Sequence, residues 1–136
     1  MKMNEEIKEL WTTALRSGKY KKGVFSLKQG FDGDYSYCCL GVLCELYLEA
    51  GNVGQWTERL DGTLRFIDEN GDFSTAALPD AVAEWAGIVK HDLSEPNFGQ
   101  FGEEVTVNGK KYQSLSGLND YGTLFSIIAD VIQEHF

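Results

Sequence analysis

The chain has 136 residues, 43% of them hydrophobic and 12% aromatic, and a formal net charge of −9. This length and composition suit one folded domain over residues 1–136 and exclude an intrinsically disordered chain. The acidic balance argues against general nucleic-acid binding, and no apolar run reaches membrane-spanning length. The N-terminal residues carry no signal-peptide core, so we expect a protein of the cytoplasm.

The charge is unevenly distributed along the chain. Residues 1–28 hold seven Lys/Arg against three Glu, giving +4, whereas the rest holds five against eighteen acids, giving −13. Such a basic corner on an acidic body is compatible with a local anion site, or with an acidic face that mimics nucleic acid.

The first predicted element is an amphipathic helix from Glu5 to Ser17. Its apolar residues follow the helical template in full: Ile7, Leu10, Trp11, Ala14 and Leu15. Asn4 suits the N-cap and Gly18 the C-terminal end. After it, residues 24–27 are a strand candidate, residues 30–34 a turn, and residues 35–37 a returning strand.

A nearly all-apolar stretch from Cys38 to Ala50 predicts a second helix at the centre of the fold. Its only charges, Glu45 and Glu49, share one face because they lie four residues apart. A short helix that is apolar nearly all round is normally a core helix. We expect its leucines at 40, 43 and 46 to pack against Trp11, Trp85 and Ile128 from the other helices.

The middle of the chain predicts strands and a third helix. Residues 52–60 look irregular, with Trp56 as an anchor onto the core. Residues 63–67 predict a strand, Asn70-Gly71 a hairpin turn, and residues 73–77 the partner strand. A third helix starts at Pro79, with Leu78, Val82, Trp85 and Ala86 as its apolar stripe, and ends at Gly87.

The last third begins with a long loop, residues 88–104, in which Phe98 and Phe101 either pin the loop to the core, close over a ligand or touch a partner. Residues 105–112 predict a hairpin that turns at Asn108-Gly109. A compact segment over residues 115–122 leads to a fourth helix capped by Thr123. The buried face expected for that helix is Leu124, Ile127, Ile128, Val131 and Ile132. Together these elements predict an α+β fold: four helices around a small, mostly antiparallel sheet.

No nucleotide-binding or zinc-protease motif occurs, so catalysis would have to depend on the cysteines. Cys38 or Cys39 at a helix N-terminus is where a thiolate could be stabilised, as in cysteine hydrolases. A nucleophile needs a base, however, and the two histidines, His91 and His135, lie outside the predicted strands and turns. Cys44 diverges too far around the helix to share a metal with the other two thiols. We therefore favour buried structural cysteines and expect no catalytic residue, metal or cofactor.

Two groups of residues are candidates for ligand binding. Cations and an aromatic ring at the end of the first helix could hold a phosphate and stack a base. Asn119 and Asp120 could bond a ribose or a base edge, or simply cap a helical turn. The predicted site residues are Arg16, Lys19, Tyr20, Tyr37, Asn119 and Asp120.

Four segments together resemble a family of small accessory proteins encoded by tailed bacteriophages. They are residues 11–20 (WTTALRSGKY), 37–44 (YCCLGVLC), 78–87 (LPDAVAEWAG) and 118–130 (LNDYGTLFSIIAD). The resemblance runs nearly end to end and implies a protein that acts in the host cytoplasm, but it implies no reaction. Small phage proteins of this kind often disarm host defences.

We therefore expect a non-catalytic protein that sequesters a small anionic, nucleotide-like ligand and so counters a host defence. The alternative is a protein–protein inhibitor that engages a host defence or nucleic-acid-binding protein through its acidic surface. A cysteine hydrolase is a third reading, and it predicts one unusually reactive thiol.

Overall fold

The computed structural model describes residues 3–88 and 105–136. Within these ranges the helices are α1 (Glu5–Arg16), α2 (Cys39–Glu49), α3 (Asp80–Ala86), α4 (Leu115–Asp120) and α5 (Phe125–His135). The strands are β1 (Lys21–Lys22), β2 (Lys28–Phe31), β3 (Asp34–Tyr37), β4 (Gly54–Glu58), β5 (Leu64–Asp68), β6 (Phe73–Ser74), β7 (Val105–Val107) and β8 (Lys110–Tyr112). The α+β class predicted from the sequence is confirmed.

The strands form three small sheets in the described residues, rather than the one sheet expected. In the first, β3 lies between β1, which runs parallel to it, and β2, which is antiparallel. The second is antiparallel in the order β4-β5-β6, and the third is the β7-β8 hairpin. A single bridge between Gln29 and Thr63 joins the first two sheets. The hairpin turns at Asn108-Gly109 as predicted, and both residues have positive φ angles of 51° and 79°.

Several element boundaries differ from the sequence prediction. Residues 24–27 are bends rather than a strand, and the strand begins at Lys28 instead. The segment expected to be irregular contains β4, because Trp56 pairs with Phe66 and thereby joins the sheet while covering the core. Residues 115–120 form a helix of their own, so the described chain has five helices and not four. The 88–104 loop, with Phe98 and Phe101, lies outside the described residues except for buried Ile88.

Helix α2 lies at the centre of the core, as predicted. Eight of its 11 residues are buried, and its leucines belong to the same apolar cluster as Trp11 and Ile128. Trp85 packs against that cluster and is partly buried, with its ring 5.5 Å from that of Tyr47 on α2. The most extensive helix–helix contact is between α1 and α5, which close over the core together.

The buried faces of α1 and α5 differ from the apolar faces that the sequence predicted for these two helices. Leu10 is 53% exposed, and buried Thr12 takes a place on the inner face of α1 because its hydroxyl donates to the Lys8 carbonyl at 3.0 Å. Leu124 is 64% exposed because it precedes α5 as the N-cap, whereas Phe125 fills the core position. The helical pattern alone predicts that both leucines are buried. In the structure, Leu124 is exposed at the N-cap of α5, and on α1 the bonded Thr12 is buried instead of Leu10.

Two close contacts fix the position of α2. The Trp11 indole Nε1 donates a hydrogen bond to the Cys39 carbonyl at 2.9 Å, which ties α1 to the start of α2. Gly41 faces the backbone of Leu27 so closely that an added Cβ would lie 1.8 Å from the Leu27 carbonyl oxygen. Glycine is therefore required at this position, since any side chain would push the residue 27 backbone away from the helix.

Candidate functional site

Arg16 of the predicted site lies between two helices. Its Nη2 is 2.6 Å from Asp130 Oδ1 and 2.8 Å from Gln133 Oε1, both on α5. The guanidinium is thus already paired with a carboxylate and an amide of the same chain. We conclude that Arg16 strengthens the contact of α1 with α5 and stands apart from the other predicted ligand-binding residues.

The lysines of the basic corner are also paired within the molecule. Lys19 Nζ lies 3.5 Å from Glu49, and Lys21 Nζ lies 3.7 Å from Asp34. Lys22 Nζ donates to the Asn119 carbonyl at 2.7 Å. The cations that looked like an anion site in the sequence therefore meet acceptors of their own chain: carboxylates for Lys19 and Lys21, and a neutral carbonyl for Lys22.

A buried ion pair lies beside this corner, surrounded by aromatic rings. Lys28 is 9% exposed, and its Nζ is 2.9 Å from Glu45 Oε1 on α2. The same ammonium lies 4.5 Å from the ring centroid of Tyr35, 5.3 Å from that of Tyr37 and 5.2 Å from that of Trp56. Such a setting lets the charge be buried, because the carboxylate and the π-faces replace the lost water.

The strand register explains how these groups meet. Lys28 pairs with Tyr37 across β2 and β3, and Tyr35 lies two residues earlier on the same face of β3. Glu45 comes from the face of α2 that the sheet covers. Trp56 reaches the cluster from β4 in the second sheet. The cluster therefore forms only when the helix and both sheets are assembled.

The outer rim of this cluster is aromatic and acidic. Tyr20 packs edge-on against Tyr37 with centroids 5.3 Å apart, and its hydroxyl is 3.3 Å from Glu49. Tyr35 donates from its hydroxyl to Glu58 at 2.7 Å. We call this surface the aromatic–acidic face; it consists of Tyr20, Tyr35, Tyr37, Trp56, Glu45, Glu49 and Glu58. All four aromatic residues are half-buried.

The tyrosines of this face stay protonated at neutral pH. Burial, together with the nearby Glu45 carboxylate, raises the pKa of Tyr37 well above its usual value. Burial and then Glu49 raise the pKa of Tyr20 in the same direction. Their hydroxyls therefore act as hydrogen-bond donors beside carboxylates, and no phenolate is available there for chemistry.

Asn119 and Asp120 form a second group, at the N-terminal end of α2. Asn119 is fully buried; its Oδ1 accepts from the Cys39 N–H at 3.1 Å and its Nδ2 donates to the Gly23 carbonyl at 3.0 Å. Asp120 Oδ1 accepts from the Phe25 N–H at 2.8 Å. Both side chains thus bind backbone groups of distant segments: Asn119 bonds the first residue of α2, and Asp120 bonds the bend at Phe25.

The six predicted residues are therefore distributed over three places. Lys19, Tyr20 and Tyr37 lie together on or beside the aromatic–acidic face. Asn119 and Asp120 lie at the start of α2, and Arg16 lies against α5.

The sequence prediction did not include Lys28, Tyr35, Glu45 or Trp56 among the site residues. One signal pointed to them: Glu45 is a carboxylate in an otherwise apolar helix, and a carboxylate buried in a core requires a cation. Which lysine supplies that cation depends on strand register, and periodicity does not reveal it. The aromatic residues around Lys28 did not indicate a site in the sequence, because aromatic residues are common in ordinary strands.

The three cysteines are buried. Burial raises the pKa of the Cys38 thiol to about 11, and it raises the pKa values of Cys39 and Cys44 well above the usual range. Each thiol is therefore almost wholly protonated at neutral pH, and a protonated thiol is a poor nucleophile. Cys39 is also engaged through its backbone N–H and carbonyl in the contacts that hold α2.

Comparisons with known proteins add a family but no activity. No curated protein matches the chain, and no solved structure matches it either. Over the two described ranges, no group of three or more His, Cys, Asp or Glu side chains is placed to hold a metal ion. The helices seen in those ranges are too short or too polar to span a bilayer. One family model covers residues 3–136, and on that match the chain belongs to DUF8296, a domain of unknown function.

Proposed function

We propose that this protein is a non-catalytic binding protein that engages a basic segment of another protein through its aromatic–acidic face. One observation carries the proposal. Arg16, Lys19 and Lys21 of the basic corner each lie beside a carboxylate of the same chain, so this region presents half-buried aromatic residues together with carboxylates.

The charges of the face favour a positively charged partner. Glu49 is paired with Lys19 at 3.5 Å but its side chain remains 51% exposed, and exposed ion pairs are easily exchanged. The chain as a whole carries −9. A partner rich in lysine or arginine would be steered to this surface by long-range attraction and could compete for the carboxylates.

The aromatic residues supply the expected binding energy. Tyrosine and tryptophan are enriched among the residues that dominate protein–protein affinity, since they bury large areas with few rotatable bonds. Among the described residues, Trp56 Nε1 is buried without a hydrogen-bond acceptor. Such orphan donors are few in native proteins.

The resemblance to phage accessory proteins suggests where such a partner is found. In that setting the partner is a host defence protein or a host nucleic-acid-binding protein, and the second class carries the basic segments that this face would attract. The protein would then act in the host cytoplasm by occupying its partner, with no reaction.

A quantitative capture experiment tests the proposal. Tagged protein is incubated with host lysate at low and moderate salt, and the stoichiometric partner is then purified for affinity measurement. The Glu49→Lys variant reverses one charge on the face, whereas Glu134→Lys makes the same change at a 78% exposed site on α5. We expect about tenfold weaker binding for Glu49→Lys and a much smaller change for Glu134→Lys. Equal losses in both variants, or a partner without a basic segment, would contradict the proposal.

A small nucleotide-derived ligand is the second candidate, and one observation favours it. Lys19 Nζ lies 5.3 Å from the ring centroid of Tyr20, which itself packs on Tyr37, so one cation and two rings are together at the surface. Calorimetry with cyclic dinucleotides and cyclic ADP-ribose isomers tests it directly. Heat that disappears in Tyr20→Ala would favour this candidate, and no heat with any of these ligands would remove it.

A further inference from the structure

Arg65, on β5, is a cation without a carboxylate in the part of the chain that the structure describes. Its Nε is buried without a hydrogen-bond acceptor, and no carboxylate among the described residues lies within ion-pair distance of its guanidinium. The guanidinium lies over the ring of Phe73 instead, with 4.7 Å between its Cζ and the ring centroid. In a chain of net charge −9, a half-buried arginine would be expected to have an acidic partner.

The strand register places a second arginine beside it. Arg65 pairs with Thr57 across β5 and β4, and the Arg59 N–H donates to the Thr63 carbonyl at 3.0 Å, which continues this pairing past the end of β4. Because side chains alternate along a strand, Arg59 and Arg65 lie on one face of the sheet as diagonal neighbours. Diagonal neighbours in an antiparallel pair are about 7–8 Å apart, so two side chains as long as arginine can reach one ligand.

Asp61 is the acidic neighbour of this arginine pair, and it is bonded to Thr63. Its Oδ1 accepts from the Thr63 N–H at 3.0 Å and from the Thr63 hydroxyl at 2.6 Å. These bonds, and to a smaller extent Arg59, lower the pKa of the Asp61 carboxyl. Asp61 lies beyond ion-pair distance of both guanidinium groups, so both remain open to an anion from outside the chain.

We propose that Arg59 and Arg65 bind the phosphate group of a small molecule. A guanidinium presents its N–H donors in the fork geometry that phosphate oxygens accept. Two cations match the nearly two negative charges of a phosphate monoester at neutral pH, whereas a carboxylate carries only one. The net charge of −9 repels a polyanion such as nucleic acid, so one isolated phosphate group is favoured over a phosphate backbone.

Phe73 extends this site along the sheet. It pairs with Ile67 across β6 and β5, which places its ring on the same face as Arg65, and its side chain is 63% exposed. Stacking on the ring orients the guanidinium, and the remaining ring surface suits a planar group attached to the phosphate. The phosphate is therefore either free or carried by a ring-bearing molecule such as a nucleotide, and the experiment separates these two sources.

The arginine pair lies on the opposite side of the sheet from the aromatic–acidic face. Trp56 pairs with Phe66, and both contribute to the hydrophobic core. Arg65 precedes Phe66 by one residue and Thr57 follows Trp56 by one, so both lie on the outer side. The inference is therefore independent of whether the aromatic–acidic face binds a partner.

Isothermal titration calorimetry with four defined probes tests the site: inorganic phosphate, adenosine monophosphate, adenosine and acetate. We expect binding of the two phosphate compounds that weakens between about 0.05 and 0.3 M NaCl, because salt screens an exposed ionic contact. Tighter binding of adenosine monophosphate than of inorganic phosphate would identify a ring-bearing ligand, and equal binding would identify phosphate alone. No binding of either at up to about 10 mM would overturn the proposal, since that limit corresponds to a negligible affinity. Adenosine or acetate binding as tightly as the phosphate compounds would overturn it as well.

Three variants locate the binding. Arg65→Met removes the buried Nε that lacks an acceptor, so we expect an unchanged or higher Tm together with at least about tenfold weaker phosphate binding. Arg59→Gln changes an exposed residue, should weaken binding similarly, and decides the question if Arg65→Met fails to fold. Lys110→Gln is the matched control, because Lys110 Nζ likewise lies 4.8 Å from the centroid of an exposed ring, that of Tyr121. Binding that survives both arginine substitutions, or that Lys110→Gln weakens equally, would show that the arginine pair is not the site.

Discussion

The two polar sites that contact α2 are built on different physical principles. At its N-terminal end, Asn119 is neutral, fully buried and bonded to backbone groups of other segments. Further along, Glu45 forms an ion pair with Lys28 among aromatic rings, and this site reaches the surface through Tyr20 and Glu49. A fully buried side chain with all its hydrogen bonds made specifies one arrangement of the chain. A charged cluster open to solvent on one side is better suited to recognition.

The largest expected effect comes from breaking the ion pair. Glu45→Ala leaves Lys28 as a buried cation without its carboxylate, so the free energy of unfolding should fall by about 3–5 kcal/mol. The double variant Lys28→Met/Glu45→Leu removes both charges and should recover most of that loss. Urea melts of the three proteins measure it. If the double variant were as unstable as Glu45→Ala, the pair would contribute through its shape rather than its charge.

The apolar centre of α2 lies between the two polar sites and gives the next effect. Leu43 is fully buried, so Leu43→Ala should lower the free energy of unfolding by about 2–5 kcal/mol through lost burial and the cavity left behind. Urea denaturation monitored by tryptophan fluorescence measures the change. A variant that melts like the parent would show that α2 is not the centre of the core.

Removing the Asn119 side chain should cost somewhat less. Asn119→Ala strands the Cys39 N–H and the Gly23 carbonyl, at about 1–3 kcal/mol for each buried group, so we expect a loss of about 2–4 kcal/mol. Unlike the ion pair, this site has no compensating second substitution, because the Cys39 N–H and the Gly23 carbonyl are backbone groups. Hydrogen exchange of the Asn119→Ala variant and the parent should show that the substitution speeds exchange at the Cys39 amide more than at amides in the middle of α5. Unchanged protection at Cys39 would contradict the assigned role.

The buried thiols near this network predict a dependence on alkaline pH. Burial raises the folded pKa of Cys38 to about 11, against an ordinary value of 9.0, so the thiol of the unfolded chain loses its proton first as the pH rises. Stability contributed by this group is therefore complete below pH 9 and is lost as the pH rises towards 11, by about 1.4 kcal/mol at pH 10. Melts of the parent and Cys38→Ala at pH 7 and pH 10 measure it. Equal pH slopes would contradict the burial of this thiol.

The smallest effect should come from the β7-β8 hairpin, away from both sites. Lys111 is exposed there, and Lys111→Ala should change the free energy of unfolding by no more than about 0.5 kcal/mol. The same urea melts provide the measurement. A loss above 1 kcal/mol would show that the hairpin carries more of the fold than its exposure indicates.

The sequence alone determined the elements whose signals are local. The all-apolar pattern of residues 38–50 predicted the buried helix, and Asn108-Gly109 predicted the hairpin turn, because side-chain periodicity and turn chemistry act over a few residues. The α+β class followed from the same signals. Buried cysteines were also favoured correctly, since thiols in an apolar helix pack like small hydrophobic residues.

Only the tertiary structure decided which charges meet. Lys28 and Glu45 are 17 residues apart, and Arg16 and Asp130 are 114 apart, so no spacing rule joins them. From the sequence, the basic corner was predicted to bind an anion, because a net charge counts the charged residues without showing which of them are paired. The placement of Phe25 likewise depends on Asp120, 95 residues away, because a backbone conformation that local sterics disfavour exists only where distant groups hold it.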